Sequence, residues 1–402
     1  MKVQILPSLA SGTLEVPPSK SDAHRAIICA AIAGNSSEVT NIDFSDDILA
    51  TIGCLESLGA VIEKSENSIT VRTSVKHGES AVLECRESGS TLRFLIPLAS
   101  QLYNSCVFTG SERLFERPLS VYENIFDNSG IVYQKTNNSF YISGKMRPGK
   151  FTVPGNISSQ FISGLLFALP LLDGDSVIEI IPPFESRDYV YMTLSALNRF
   201  GIQINLLNGS TFEIKGNSHY SPASYRVEGD WSNAAFLDAF NYLGGSVNLT
   251  GLNENSNQGD KIYRQFFSLM NASYAEINLS DYPDLGPVCM ALAYRNGAEF
   301  SGVKRLRLKE SDRCAAMAHE LVKFGIKTKS DDDTFTVYPS EIQAPNEEID
   351  SHNDHRIVMA MSLLCSVTGG TIDGAQTVSK SFPGFFDCLT KLGIKVNLYE
   401  TA

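Results

Sequence analysis

The 402-residue chain lacks any apolar run long enough to cross a bilayer: its longest nearly uninterrupted stretch is FISGLLFALPLL at 161–172, against the roughly 20 residues that a spanning helix needs. The opening residues, MKVQILPSLASG, lack the long apolar core and small-residue cleavage pattern of a secretory signal. The eight cysteines, at 29, 54, 85, 106, 289, 314, 365 and 388, form no CxxC pair and no short cluster with histidine. That spacing suggests neither a disulfide framework nor a zinc site, and fits reduced thiols in a cytoplasm. Positive charge is scarce as well. The 33 Lys and Arg against 45 Asp and Glu give a formal net charge of −12, which disfavours non-specific attraction to nucleic acid or an anionic membrane. Any anion site must be built locally. A phosphate loop is missing too: GKMRPGK at 144–150 spells GxxxxGK, but Phe151 follows in place of Ser or Thr and FTVPG reads as strand and turn.

What is present is a repeat. An apolar helix-like segment, a Gly/Asn/Asp turn and a short β-rich strand recur six times, with Asn35, Asn104, Gly174, Gly245, Gly297 and Gly370 at the turns and intervals of 69, 70, 71, 52 and 73 residues. Each period is too long for a solenoid repeat and holds a supersecondary unit of mixed α and β character. Grouped three and three, the units predict two similar α/β domains. Composition agrees, since 43% hydrophobic and 19% charged residues describe an ordinary globular chain.

Just upstream of each apolar helix lies a polar cluster: Ser19–Ser21, Ser88–Thr91, Ser158–Gln160, Asp230–Asn233, Asp281–Asp284 and Asn353–Arg356. Ser, Thr, Asp and Asn at such places are ordinary helix caps. Six in equivalent positions also supply N–H groups and positive dipole ends suited to an anion. Lys20, Arg25, Arg93, Arg117, Arg187, Lys309, Arg313, Arg356 and Lys380 fall at these helix starts or just after the repeated strands. On an acidic chain, such a pattern points to phosphate and carboxylate recognition. His355, beside Asp354, is the histidine best placed for a site, to orient a loop or to do chemistry.

PSKSDAHR (18–25), ESGSTLR (87–93), ERPL (116–119), SSQF (158–161), SRDY (186–189), VEGDWSNA (227–234), QGD (258–260), YPD (282–284), KESDR (309–313), NDHR (353–356) and SKSFP (379–383), in this order, resemble the motifs of the 5-enolpyruvylshikimate-3-phosphate synthase family. The resemblance spans nearly the whole chain. It implies an enolpyruvyl transferase fold, an inside-out α/β barrel-like arrangement of two similar domains. Each has three βαβαββ-type units, and two hinge strands join them. One domain is then 18–228, on the shikimate 3-phosphate side. The other is 1–17 plus 229–402 and carries most phosphoenolpyruvate-side residues.

The resemblance further implies transfer of the enolpyruvyl group of phosphoenolpyruvate to the 5-hydroxyl of shikimate 3-phosphate, by addition and elimination with loss of phosphate. Matching motifs place Lys20, Gly89, Arg117, Arg313, Arg356 and Lys380 at phosphoenolpyruvate. They place Ser21, Arg25, Ser158, Ser159, Gln160, Ser186, Tyr189, Asp284 and Lys309 at shikimate 3-phosphate. The chemistry needs a base and an acid: Asp284 is the candidate base and Glu310 the candidate acid, with Lys20 an alternative participant. No cofactor and no metal are implied. The expected partners are the two small-molecule substrates alone, not nucleic acid or membrane, and the expected state is a cytoplasmic monomer. Three departures from the pattern stand out: Pro18 precedes the first Ser-Lys-Ser, Arg305 stands where an Asn is common, and Phe94 follows Arg93 in place of Pro. The sister enzyme that acts on UDP-N-acetylglucosamine is the nearest rival, but Ser21 and a 111–120 segment without Cys differ from it. A non-catalytic phosphoacid-binding protein is the alternative from another class.

Overall fold

The computed structural model describes residues 1–399. The chain divides into two compact units, Pro18–Glu228 and Met1–Pro17 with Gly229 onward, so it passes from one to the other at two points. Each unit has its own apolar core.

Within Pro18–Glu228, three four-stranded sheets share one plan, in which the first strand runs parallel to the second and a hairpin adds two antiparallel strands. In the second repeat, Gly78–Glu84 pairs in parallel with Tyr103–Thr109, which pairs antiparallel with Ser139–Ser143, with Val132–Lys135 at the edge. The third repeat, from Lys150–Pro154 to Thr211–Ile214, does the same. In the first, the parallel partner of Ser37–Thr40 is the late strand Ser224–Arg226, with Val39 opposite Tyr225. The end of the segment thus completes the sheet begun at its start.

The unit built from Gly229 onward borrows its missing strands from the beginning of the chain. Lys2–Leu6 lies between Gly370–Asp373 and Lys395–Tyr399, antiparallel to both, and Ser11–Glu15 pairs in parallel with Ser246–Thr250. One repeat departs from the βαβαββ plan: Ser246–Thr250 and Ser11–Glu15 form a two-stranded sheet with no hairpin. The short 52-residue interval between Gly245 and Gly297 is the trace of that omission.

The helices after the polar clusters are the inner ones. In Ser159–Ala168 every residue but Gln160 is buried, and in His355–Thr368 burial runs from His355 to Ser366. A helix apolar on all sides has to sit in the core, which is why these segments read as hydrophobic runs rather than amphipathic stripes. The hairpin strands alternate instead, as in Ser68–Thr73, because one face packs on helices and the other meets water.

One packing detail in Pro18–Glu228 starts from a proline. Pro97 lies inside the helix Gly89–Leu102 and has no N–H to give to the carbonyl four residues back, that of Arg93. The Tyr122 hydroxyl donates to this carbonyl instead, at 2.6 Å, and also lies 3.3 Å from the Phe161 carbonyl. Gly164 leaves the room: a Cβ there would stand 2.2 Å from the Tyr122 hydroxyl and 2.4 Å from the Arg93 oxygen. A tyrosine of the second repeat and the space left by a glycine of the third thus satisfy one buried carbonyl. Tyr122→Phe should lower stability by about 1–3 kcal/mol, the cost of a buried polar group left without its partner, read as a lower urea midpoint by circular dichroism. An unchanged midpoint would show that the carbonyl finds another donor.

Candidate active site

Five of the six polar clusters cap their helices. Ser19 accepts from the Asp22 amide, Ser88 from Thr91, Ser158 from Gln160, Asp230 from Asn233 and Asp354 from Arg356. The sixth differs. Asp284 sits in the single turn Pro283–Leu285, with no side-chain cap at its start, and its carboxylate engages cations instead.

In Pro18–Glu228 the nominated residues fall into distinct contacts. The Lys20 ammonium pairs with Asp47 at 2.8 Å, both largely buried. Arg25 is buried and donates to the Thr193 hydroxyl at 2.8 Å, the Ser21 carbonyl at 2.5 Å and the Tyr189 carbonyl at 2.9 Å. It thereby ties the start of the helix Lys20–Ala33 to the helix Arg187–Arg199. Its guanidinium also lies 5.1 Å from the centre of the Phe94 ring. Phe94 is therefore core, and its ring braces a buried arginine. Burial lowers Arg25 to about 10, against the pull of Asp22. Gln160 accepts from Arg93 at 2.8 Å and donates to Ser90 at 2.9 Å, which joins the second and third helix starts. Ser159 and Ser186 are buried, and Ser186 adopts a left-handed conformation with φ 53°.

Gly89 has a particular reason to lack a side chain. A Cβ there would lie 2.6 Å from Arg117 Nη1 and 2.7 Å from its Cζ. The resemblance places Gly89 at phosphoenolpyruvate; in the structure the group that approaches it is the Arg117 guanidinium.

In the other unit the contacts converge on Arg313, the first residue of the helix Arg313–Lys323, which is buried. It donates to Asp354 Oδ2 from Nε at 2.8 Å, to Asp284 Oδ1 from Nη1 at 3.0 Å and to Glu310 Oε2 from Nη2 at 2.8 Å. Burial alone would lower the guanidinium's pKa, but the carboxylates of Asp354, Glu310 and Asp284 together raise it. Burial would likewise raise Asp354, yet Arg313 outweighs it and holds that carboxyl below its usual range. Asp284 gathers two more cations: Lys309 at 3.3 Å and Arg356 at 3.2 Å. Arg356 also donates to the Ser232 hydroxyl at 2.8 Å and the Asp284 carbonyl at 3.0 Å. Partial burial lowers Lys309 to about 8, against the attraction of Asp284. Lys380 donates to the Asn353 carbonyl at 2.6 Å. Arg305 reaches the Ser280 carbonyl at 3.2 Å, so this departure lies one short segment from Asp284. His355 is buried, its Nδ1 3.9 Å from Asp354.

Several members of these networks have no site role in the sequence analysis. Asp354, a helix cap in the sequence analysis, is also the deepest partner of Arg313. Asp47 holds Lys20, and no motif contains it. Asp260, in QGD, is buried; burial, with Asp284 and Asp230 nearby, raises it to about 7 against Arg356. A fourth set, His319, Glu320 and His352, lies too far apart in sequence to form a spacing motif. No helix of the described residues is long and apolar enough to cross a membrane.

The family model for EPSP synthase (3-phosphoshikimate 1-carboxyvinyltransferase) matches residues 7–389. The chain is 39% identical to the 3-phosphoshikimate 1-carboxyvinyltransferase of Clostridium kluyveri, with 98% of both chains covered, and 41% identical to that of Clostridium beijerinckii, with 97% of both covered. Among solved structures, the EPSP synthase of Acinetobacter baumannii superposes with a TM-score of 0.79 at 23% identity, covering 99% of this chain and 100% of that one. The enolpyruvyl transferase NikO from Streptomyces tendae gives 0.81 at 16% identity, covering 100% and 99%, so the fold is shared well beyond recognisable sequence. With a matching model over nearly its whole length and relatives near 40% identity, the chain belongs to the EPSP synthase (3-phosphoshikimate 1-carboxyvinyltransferase) family.

Proposed function

We propose that the chain transfers the enolpyruvyl group of phosphoenolpyruvate to the 5-hydroxyl of shikimate 3-phosphate, with Asp284, Glu310 and Lys20 as its proton-handling groups. The observation that carries the reading is one buried guanidinium, Arg313, gripping two carboxylates, Asp284 at 3.0 Å and Glu310 at 2.8 Å. An addition that removes a proton from oxygen while adding one to carbon needs two such groups held in fixed relation. In this reading Asp284 takes the hydroxyl proton as the oxygen bonds to the central carbon of phosphoenolpyruvate, and Glu310 protonates the methylene. Elimination then breaks the bond from carbon to the phosphate oxygen, and the methyl group returns a proton.

The nominated residues also position the substrates, Lys20 and Asp284 serving in both roles. Lys20, Gly89, Arg117, Arg313, Arg356 and Lys380 serve phosphoenolpyruvate. Ser21, Arg25, Ser158, Ser159, Gln160, Ser186, Tyr189, Asp284 and Lys309 serve shikimate 3-phosphate. Arg117 and Arg356 supply planar guanidinium forks suited to carboxylate and phosphate, whereas Lys20, Lys309 and Lys380 act as point charges. The inventory is divided between the two units.

Phosphate release tests the reading directly. The purified chain should release phosphate from phosphoenolpyruvate with shikimate 3-phosphate as acceptor, and not with UDP-N-acetylglucosamine. No release with the former would sink the proposal, and binding without release would favour a non-catalytic phosphoacid-binding protein. Glu310→Gln and Asp284→Ala should each lower kcat by about 100-fold or more, the usual scale for a lost general acid or base, whereas Lys380→Met should mainly raise the KM for phosphoenolpyruvate. Because Lys and Arg neutralise the charge, turnover should persist in EDTA; a strict divalent-metal requirement would contradict this.

The lowered pKa of Lys309 gives a pH dependence with a definite sign. The ammonium is charged below about 8 and loses its charge above. The KM for shikimate 3-phosphate should therefore rise as pH climbs through that value, and Lys309→Arg should flatten the rise. A wild-type KM flat across this range would remove Lys309 from the phosphate contact.

A further inference from the structure

The helix Arg313–Lys323 and the segment after the strand Ile349–Asp350 bring together three side chains that the reaction does not use. Glu320 is fully buried, and the two oxygens of its carboxylate have different surroundings. Oε2 lies 2.9 Å from the Lys323 ammonium and accepts from the Asp350 amide at 3.1 Å. Oε1 meets two imidazoles, with His319 Nδ1 and His352 Nε2 each 2.7 Å away. The two rings stand edge to face at 81°, with centroids 5.6 Å apart. The three donor atoms all lie within 4.8 Å of one another. Side-chain exposure of 63% at His319 and 27% at His352 opens the cluster to water. His352 has φ 48°, a left-handed conformation uncommon outside glycine, and this turn directs its ring back to the helix.

We propose that His319, Glu320 and His352 form a binding site for a divalent transition metal of the zinc class, with His319 Nδ1, His352 Nε2 and Glu320 Oε1 as the protein ligands and water completing the coordination. Two imidazoles and a carboxylate are a donor set that suits zinc and its neighbours rather than magnesium or calcium, which prefer oxygen alone. Outer partners that fix a ligating carboxylate are a regular part of such sites; here they are Lys323, which also donates to the Glu348 carbonyl at 2.9 Å, and the Asp350 amide. Little movement is required. A tetrahedral ion with bonds of about 2.0 Å needs its ligands about 3.3 Å apart, against 2.7 Å from each ring nitrogen to Oε1, and the exposed His319 ring can swing outward. Each coordinating nitrogen gives up its proton, to the other ring nitrogen by way of solvent or to solvent outright. The ion would fasten the helix that begins at Arg313 to the segment that leads into Asn353, Asp354 and Arg356. It is a clamp on the site's framework, distinct from the groups assigned to the chemistry.

Calorimetric titration of the full chain, stripped with EDTA and then given zinc chloride alone at neutral pH, tests this. A single ion should bind per chain. Because His319 lies on the surface, His319→Ala should fold normally, as a circular dichroism melt would verify, and should weaken zinc binding by at least about tenfold; His352→Ala should do the same. The double variant should abolish binding, and cobalt(II) bound to the wild type should show the intense visible absorption of a low-coordinate site, absent in the double variant. Two results overturn the proposal: wild-type heats no greater than those of the double variant, which would leave a purely hydrogen-bonded cluster, or one-to-one binding that persists in the double variant.

Discussion

Much of the unit that begins at Gly229 depends on one buried guanidinium. Arg313 opens its helix, is almost inaccessible to water, and binds three carboxylates that come from separate segments: Asp284 from a single turn, Glu310 from the residues just before the helix, and Asp354 from the cap of the next repeat's inner helix. A buried charge is tolerated only when paired and hydrogen-bonded, because desolvation otherwise costs several kcal/mol. The requirement works in both directions. The carboxylates make the arginine's burial possible, and the arginine fixes the carboxylates relative to one another. Asp354 does a second duty, since the same side chain caps its helix at the Arg356 amide and accepts from the Ser311 hydroxyl at 3.1 Å. Capping and ion pairing are thus not rival explanations for that polar cluster.

The other unit solves a comparable problem with neutral groups. Arg25 is buried against carbonyls, a hydroxyl and the face of Phe94. These partners carry no full charge, and its pKa falls accordingly, whereas the carboxylates around Arg313 raise that of their guanidinium. Two arginines read alike in the sequence therefore have different electrostatic characters. Arg25 is a brace between helices, and Arg313 is the hub of an ionic network.

The repeat was legible because each unit must hide one fully apolar helix, and such helices, followed by a turn and a β-rich strand, leave a periodic mark. The missing hairpin was legible only as a shortened interval, whose cause needed the sheet pairing of Ser11–Glu15 with Ser246–Thr250. Cations announced themselves as rare residues in recurring places on an acidic chain. Two of their carboxylate partners did not: Asp47 and Asp354 are common residues whose meaning comes from what folding sets beside them. Gly89 was visible as a special position, but only coordinates could tell that its missing Cβ admits the Arg117 side chain. The His319, Glu320 and His352 cluster had no local signal, because one helix and one distant turn supply it.

The pairing of Lys20, Lys309, Arg313 and Arg356 with carboxylates has a consequence for how an anion would bind. Lys20 rests on Asp47, while Lys309, Arg313 and Arg356 share Asp284. A phosphate brought to these cations would meet a salt already formed, so its binding would be an exchange of counter-ions in which an internal carboxylate yields place to an external oxygen. The net gain is a difference between two sets of similar contacts. Added salt screens both sets, so affinity should decline with ionic strength less steeply than the number of cations alone implies. A lone chloride or sulfate has little to offer in such an exchange, whereas a ligand that carries several anionic groups at fixed separations can replace several carboxylates at once. Selectivity for polyvalent acids is then a property of the resting ion pairs as much as of the cations themselves.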